Sequence, residues 1–210
     1  CTLVARNEEQ LSAVVKTLNT DAGQQHGYLV ADFSKPDELK KTVEDFVKEN
    51  PVHILINNTG GPAAGPIVAA TEEAFLTTFS QHLICNHILA KAVIPGMKDA
   101  GYGRIINIIS TSVRIPLNNL GVSNTIRGAV ASWAKTMANE LGQYNITVNN
   151  VLPGFAKTKR LETLIAHIAG QKNSTVEEVS QQMAAEVPMK RFGEAYEIAA
   201  AAAFLASPAA

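Results

Sequence analysis

The chain has 210 residues, of which 46% are apolar and 18% are charged, and its formal net charge is −1. This composition fits a globular protein with a substantial core, and the balanced charge without a long basic run argues against a broad nucleic-acid-binding face. No apolar stretch reaches the ~20 residues that a membrane-spanning helix needs, and the Ala-rich segment 199–210 is too short to be an anchor.

Cysteine content and the first residues predict the compartment. Cys1 and Cys85 are the two cysteines, too few for a disulfide framework. Residues 1–5 lead directly into a polar segment and do not resemble a signal peptide. We therefore expect a cytoplasmic protein, and we predict no metal site.

Short apolar runs alternate with amphipathic segments along the whole chain. The apolar runs predict strands at 2–5, 26–31, 52–57, 104–109 and 146–152. Helical periodicity predicts helices at 7–20, 34–50, 71–100, 121–143, 158–170, 174–186 and 194–206, with Ser34 as the N-cap of the second. Strands that alternate with helices pair in parallel through right-handed crossovers. We therefore expect an α/β fold, a Rossmann-type doubly wound parallel sheet in a single domain.

Polar and glycine residues follow every predicted strand. In open parallel sheets, ligands bind at the carboxyl ends of the strands, where the strand order reverses. Loops between strands and helices are rich in such residues in any case, so a single loop carries little information. Five successive loops of this kind indicate a nucleotide-binding sheet, and they lie at 6–7, 32–33, 57–61, 110–112 and 153–154.

Three segments carry a resemblance to a known family: "NNTGG" at 57–61, "GRIINIIS" at 103–110 and "ITVNNVLPGFAKT" at 146–158. Through them the chain resembles the short-chain dehydrogenase/reductases over nearly its whole length, and the 3-oxoacyl-acyl-carrier-protein reductases in particular. The resemblance implies one NADP-binding Rossmann-type domain over 1–210 that reduces a carbonyl or 3-oxoacyl substrate by hydride transfer. The family's first strand with its glycine-rich turn, and its last strand, find no match here, so we expect a chain trimmed at both ends.

The resemblance also implies a set of cofactor contacts. Arg6 lies where a cation suits the 2′-phosphate of NADP and an acidic residue would suit NAD. We therefore expect NADP(H) in preference to NAD(H), with Asn7 either at the cofactor or capping the next helix. The other implied contacts lie along the adenine, the ribose and the nicotinamide: Asp32, Phe33, Asn57, Thr59, Gly60, Arg127, Pro153, Gly154 and Thr158.

The family's catalytic set is an asparagine, a serine, a tyrosine and a lysine, and this chain keeps one of the four. Ser110 matches the serine, whereas His82, Ser123 and Arg127 stand at the places of the asparagine, the tyrosine and the lysine. Reduction of a ketone needs a proton donor at the developing alkoxide, and serine is a far weaker acid than a tyrosine beside a cation. Arginine can keep the charge and the ribose hydrogen bonds but hardly ever gives up a proton.

Each candidate proton donor has a purely structural alternative. His82 is either the titratable donor or a packed helix residue, and Ser112 either turns toward the substrate or stabilises its loop. Ser123 with Asn124 could instead cap their helix. Asn86, one helical turn beyond His82, could take the role of the missing asparagine.

Two functions are compatible with these residues. One is an NADP(H)-dependent reductase with an atypical proton donor. The other is a relative that binds the cofactor, is catalytically impaired and serves in binding or assembly. The apolar stripe within 161–188 either covers an acyl chain or hydrophobic ketone, as a lid, or packs on the body.

The expected partners are a small-molecule or acyl-carrier-bound keto substrate and further copies of the chain. The resemblance implies a homodimer or homotetramer, with Trp133 and Met137 as candidate interface residues. Neither a nucleic acid nor a membrane is expected as a partner.

Overall fold

Five parallel strands form the centre of the computed structural model, which describes residues 1–210. Strand β1 (Thr2–Ala5) pairs with β2 (Gly27–Val30), and β3 (Ile54–Asn57), β4 (Gly103–Ile108) and β5 (Ile146–Val151) form a second sheet in the order β3-β4-β5. Both sheets are parallel, and helices connect successive strands. The predicted α/β fold with parallel strands is confirmed.

Eight α-helices surround the strands, each close to its predicted place. They are α1 (Glu8–Val15), α2 (Pro36–Val47), α3 (Glu72–Phe79), α4 (Cys85–Ala100), α5 (Gly121–Leu141), α6 (Lys159–Lys172), α7 (Val176–Glu186) and α8 (Ala195–Ala206). None of them combines the length and the apolar character that a membrane crossing requires.

The start of α2 differs from the prediction. Lys35 is its N-cap and makes no side-chain cap hydrogen bond, while Pro36 occupies the first turn. The backbone N–H of Ser34 instead donates to Asp32 Oδ1 at 2.8 Å. The predicted cap at Ser34 is therefore wrong, because Asp32 holds this residue in a turn before the helix begins.

The long helix predicted at 71–100 is divided by one π turn. α3 ends at Phe79, Ser80–Ile84 form the π turn, and α4 begins at Cys85. A π turn inserts one extra residue into a helix, and such turns are frequent at functional sites. This one carries His82, whose side chain is 2% exposed.

The main apolar core lies between the second sheet and helices α4 and α5. It consists of Ala90, Val93, Met97, Ile105, Ala134, Met137, Leu141, Ile146 and Val148. Met137 faces this core, which corrects the expectation that it lies on an interface. Trp133 is partly buried beside the same core, and its indole N–H donates to His87 Nδ1 at 3.4 Å.

The apolar stripe of 161–188 is buried mainly between α6 and α7 themselves. Leu161, Ile165 and Ala169 of α6 meet Val179 and Met183 of α7 in one cluster with Phe192. The two helices therefore use most of the stripe to pack against each other, and both predicted roles of the segment, as a lid and as a part packed on the body, stay predictions. The other side of α6 is free to face a ligand.

Candidate functional site

A row of asparagine side chains crosses the second sheet near the carboxyl ends of its strands. Asn57, Asn107 and Asn150 are in register on β3, β4 and β5. Asn57 Nδ2 donates to Asn107 Oδ1 at 2.9 Å, and Asn107 Nδ2 donates to Asn150 Oδ1 at 3.0 Å. Asn57 Oδ1 is buried with no hydrogen-bond partner. The ladder therefore leaves Asn57 Oδ1 as a free hydrogen-bond acceptor, at the start of the loop that was predicted to lie along the cofactor ribose.

A small cavity brings two predicted cofactor residues together. Arg6 and Asp32 line a space of about 240 Å³ together with Val30, Ala31, Glu38 and Thr42. Hydrogen bonds from Ser34, and then the positive charges of Arg6 and Lys35, lower the pKa of Asp32. The cavity thus places the Arg6 guanidinium, which suits a phosphate, beside carboxyl groups that can accept hydrogen bonds from ribose hydroxyl groups.

Two other residues of these loops have structural roles. Asn7 Oδ1 accepts the backbone N–H of Gln10 at 2.9 Å, so Asn7 is the N-cap of α1, as one alternative predicted. The carbonyl oxygen of Phe33 accepts a hydrogen bond from the Cys85 thiol at 3.3 Å. Both contacts fix the backbone beside the cavity. Of the four residues predicted here to contact the cofactor, Arg6 and Asp32 line the cavity.

The guanidinium of Arg127 ties two strand ends together. Its Nη1 donates to the carbonyl oxygen of Ile108 at 2.8 Å, and its Nη2 donates to that of Thr59 at 3.2 Å. Burial and then the charge of Arg160 lower the pKa of Arg127 to about 10. At neutral pH the group stays cationic, and three of its five N–H donors remain available.

His82 lies beside this cation, on the π turn. Its Nδ1 and Thr59 Oγ1 share a hydrogen bond of 2.7 Å. Burial, followed by the positive charge of Arg127, lowers the pKa of His82 to about 4. The imidazole is therefore neutral at pH 7, which weakens it as a proton donor and suits it to holding Thr59. Asn86, one turn further, has a buried Oδ1 without a partner.

The serine pair after β4 forms its own turn. Ser110 Oγ accepts the backbone N–H of Ser112 at 3.1 Å and caps a short 3₁₀ helix, Thr111–Val113. Ser110 is half-buried, whereas Ser112 is 2% exposed. In this conformation the Ser112 hydroxyl is enclosed by the protein, and Ser110 is the hydroxyl of the pair that a ligand can reach.

Ser123 lies in the first turn of α5, one helical turn before Arg127. It is half-buried and its side chain makes no hydrogen bond. Leu120 is the N-cap of α5 without a side-chain cap, and Asn124 Nδ2 donates to the carbonyl oxygen of Leu117 at 2.8 Å. The alternative in which Ser123 and Asn124 cap the helix is therefore wrong, because the helix begins at Gly121, two residues before Ser123.

The loop after β5 contains the residues that were predicted to border the nicotinamide. The carbonyl oxygen of Pro153 accepts the backbone N–H of Thr111 at 3.1 Å, which links this loop to the serine turn. Gly154 is exposed. Thr158 Oγ1 accepts the backbone N–H of Leu161 at 3.4 Å and caps α6.

A cleft lies between the loop after β3 and α6, and it contains a residue that the sequence did not single out. Arg160 Nη1 donates to the carbonyl oxygen of Gly61 at 3.1 Å, and its Nη2 donates to that of Pro62 at 3.2 Å. A Cβ on Gly61 would lie 2.7 Å from Arg160 Nη2, so the glycine permits this approach. The cleft of about 620 Å³ is lined by Pro62, Ala63, Ala64, Leu120, Lys159, Arg160, Thr163, Leu164 and His167.

For the contacts of Arg160 the sequence offered no signal, and for the row of asparagines across the second sheet the signal was weak. Arg160 lies in a helix that was predicted from the periodicity of its apolar residues. Such periodicity does not show what a charged residue of the helix contacts. Asn107 and Asn150 had a weak signal, since each strand of the second sheet carries an asparagine near its end.

A parallel sheet whose loops gather a cation, hydroxyl groups and a small polar cavity at the carboxyl ends of its strands is typical of a dinucleotide-binding oxidoreductase. A family model described as enoyl-(acyl carrier protein) reductase matches residues 1–210. The chain belongs to the short-chain dehydrogenase/reductase family, as its sequence motifs predicted.

Individual relatives are similar along most of the chain. The 3-oxoacyl-acyl-carrier-protein reductase FabG of Vibrio cholerae is 31% identical over 212 residues, covering 95% of this chain and 82% of that protein. The crystal structure of YwfH, an NADPH-dependent reductase involved in bacilysin biosynthesis, superposes with a TM-score of 0.91 at 28% identity, covering 99% of this chain and 81% of that one. NAD⁺-bound xylitol dehydrogenase gives a TM-score of 0.87 at 28% identity, with 98% and 82% covered. Across the curated relatives compared, the chain spans 60% to 82% of their length.

Proposed function

We propose that this chain is an NADP(H)-dependent oxidoreductase that reduces a carbonyl or 3-oxoacyl substrate by hydride transfer, with an atypical proton donor. The observation that carries the proposal is the position of Arg127. Its guanidinium is held at two neighbouring strand ends by the carbonyl oxygens of Ile108 and Thr59. A fixed cation there can bind cofactor hydroxyls and stabilise the negative charge that develops on a substrate oxygen.

The donor set fits a nicotinamide dinucleotide. Arg6 and Asp32 line the small cavity at one end, and Arg127 keeps free N–H donors at the other. Between them, a Cβ added at Gly60 would meet no atom within 4 Å, so the backbone there is open to close approach. Arg6 supports NADP(H) over NAD(H), because a guanidinium binds a phosphate well. Relatives of both kinds are known among the similar structures.

The bound cofactor supplies the hydride, and reduction also requires one proton at the carbonyl oxygen. Ser110 and Ser123 would donate hydrogen bonds to that oxygen, and Arg127 would stabilise its charge. Because a serine hydroxyl is a poor acid, Ser123 would relay a proton from solvent rather than lose its own. His82, which is neutral at pH 7, would position Thr59, and Ser112 would hold Ser110 through its backbone N–H.

A second candidate is a relative that binds the cofactor but turns over poorly. The depressed pKa of His82 favours it, because this is the titratable side chain nearest to Arg127 among the predicted donors. Two measurements distinguish the two candidate functions. One is the rate of NADPH oxidation with acetoacetyl thioesters, and the other is the dissociation constant of NADPH. Turnover supports the reductase, whereas tight cofactor binding without turnover on any keto substrate supports the second candidate.

Restoring the family's residues provides a sharper test. The double variant Ser123→Tyr with Arg127→Lys should raise turnover by about 100-fold, the lower end of what general acid catalysis contributes. Ser132→Tyr places a tyrosine on an exposed part of the same helix and should leave turnover unchanged. No gain in the double variant, with NADPH still bound, would mean that the site cannot bring a substrate to this position.

Association of several copies is part of the proposal. Leu76 and Phe79 of α3 are exposed apolar side chains, at 65% and 38% exposure, and they support a face that a second copy could cover. Light scattering on the purified protein would distinguish a homodimer or homotetramer from a monomer. The buried free thiol of Cys85 agrees with the expected reducing, cytoplasmic location.

A further inference from the structure

The cleft between the loop after β3 and α6 is cationic on one side and apolar on the other. Lys159, Arg160 and His167 line it from α6, whereas the loop contributes proline and alanine side chains. No carboxylate lines this cleft, and Lys159 and Arg160 take part in no salt bridge. The positive charge of this wall is therefore not compensated within the protein.

Arg160 is held in place without using up its hydrogen-bonding capacity. Its two bonds to the carbonyl oxygens of Gly61 and Pro62 fix the guanidinium, and three N–H donors remain. A guanidinium presents a planar fork that matches a carboxylate or phosphate, and a nearby ammonium such as Lys159 adds a mobile second donor. The pair has the chemistry of an anion-binding site.

This anion-binding wall lies close to the proposed reaction centre. The positive charge of Arg160 contributes to the lowered pKa values of both His82 and Arg127. Leu120 lines the cleft, and Ser123 follows it by one helical turn on the same face of α5. A small molecule in the cleft can therefore reach Ser123 while one end of it contacts Arg160.

Most of the apolar stripe of α6 and α7 packs around Phe192 and does not line the cleft, where Leu164 is its one lining residue. A lid that covers a long acyl chain would present that stripe to the ligand. The volume of about 620 Å³ is instead suited to a compact molecule.

We propose that the substrate is a carbonyl compound with an anionic group, a carboxylate or a phosphate, which binds Lys159 and Arg160 while its carbonyl oxygen lies at Ser123 and Arg127. The inference rests on the proposed reductase function, since it names the substrate class of that site. A free keto acid and the phosphate of a carrier-bound thioester share this chemistry.

Dissociation constants of four probes on the NADP⁺-loaded protein test the inference, measured by saturation-transfer NMR. The probes form two matched pairs: acetoacetate with methyl acetoacetate, and acetoacetyl-4′-phosphopantetheine with acetoacetyl-pantetheine. We expect at least one anionic probe to bind about 10-fold tighter than its neutral counterpart and to weaken as salt is raised. A preference in the first pair identifies a keto acid, and a preference in the second identifies the carrier arm.

Three variants locate the effect. Arg160→Gln should reduce the preference by about 10-fold, and Lys159→Gln by about 5-fold because this ammonium is exposed. Lys172→Gln, on the exposed last turn of the same helix, should preserve it. Lys159→Gln breaks no hydrogen bond of the protein, so it remains informative if Arg160→Gln loosens the loop.

Equal affinity for the charged and neutral members of both pairs overturns the inference, as does a preference that survives both Lys159→Gln and Arg160→Gln. NADPH oxidation with the same probes separates the two proposals. Anion preference without oxidation supports the anion-binding wall and refutes the reductase, whereas oxidation without anion preference refutes the anionic substrate class alone.

Discussion

Acidification should destabilise this protein through one buried imidazole. His82 is 2% exposed and its pKa is about 4 in the folded chain, against an ordinary value of 6.5. The unfolded chain therefore binds a proton between pH 6.5 and pH 4 that the folded chain does not bind. Stability is unaffected above this window and falls as the pH is lowered through it.

The size of the effect follows from the two pKa values. Within the window, one pH unit changes the free energy of unfolding by about 1.36 kcal/mol per proton. From pH 6.5 to pH 4.5 the loss attributable to His82 is therefore about 2.5 kcal/mol. This is a large part of the 5–15 kcal/mol by which most domains are stable, so the melting temperature should fall clearly.

Urea denaturation of the wild type and of His82→Asn at pH 7 and pH 4.5 measures this contribution. The asparagine does not titrate, so its pH-dependent loss should be smaller than the wild-type loss by about 2.5 kcal/mol. His53→Asn removes an exposed histidine and should behave as the wild type does. If the wild type and His82→Asn lose the same free energy on acidification, His82 is not held neutral by burial beside Arg127.

Two further predictions concern the cofactor loop and the sheet. Arg6→Gln should weaken NADPH binding by about 10-fold and leave NADH within about twofold, because a charge-assisted hydrogen bond to the 2′-phosphate is lost. Fluorescence titration of both cofactors measures this, with the exposed Arg114→Gln as the control, and equal weakening for both cofactors would contradict it. Asn107→Ala should lower the free energy of unfolding by about 2–4 kcal/mol, because Asn57 and its counterpart on β5 lose their buried partner. Urea denaturation checks this against the exposed Asn118→Ala, and a loss below about 1 kcal/mol would show that the ladder is dispensable.

The order of elements was predictable because it depends on local chain properties. Each strand is a short apolar run and each helix has an apolar face, so their places follow from periodicity. The boundaries were less well predicted at α2, where Asp32 captures Ser34 in a turn. The π turn at Ser80–Ile84 was not predicted, since its sequence is compatible with an ordinary helix.

The membership of the site was partly predictable from motifs. Arg6, Asp32 and Thr59 were predicted from their positions after strands, and Arg127 from the family's lysine position on a helix. The structure brings Arg6 together with Asp32, and Thr59 together with Arg127. The direction in which a side chain points was not predictable. Ser112 lies two residues from the half-buried Ser110, within a 3₁₀ turn, and is 2% exposed.

By itself the sequence determined the succession of strands and helices and the family, and it predicted that Ser123 and Arg127 stand at the places of the family's tyrosine and lysine. Those properties depend on residue types at fixed spacing along the chain. Only the tertiary structure decided that His82 is neutral, that Arg127 joins two strand ends and that Arg160 forms a cationic wall of a cleft. These depend on burial and on contacts between residues far apart in the chain, since a charge or a proton responds to its surroundings in space.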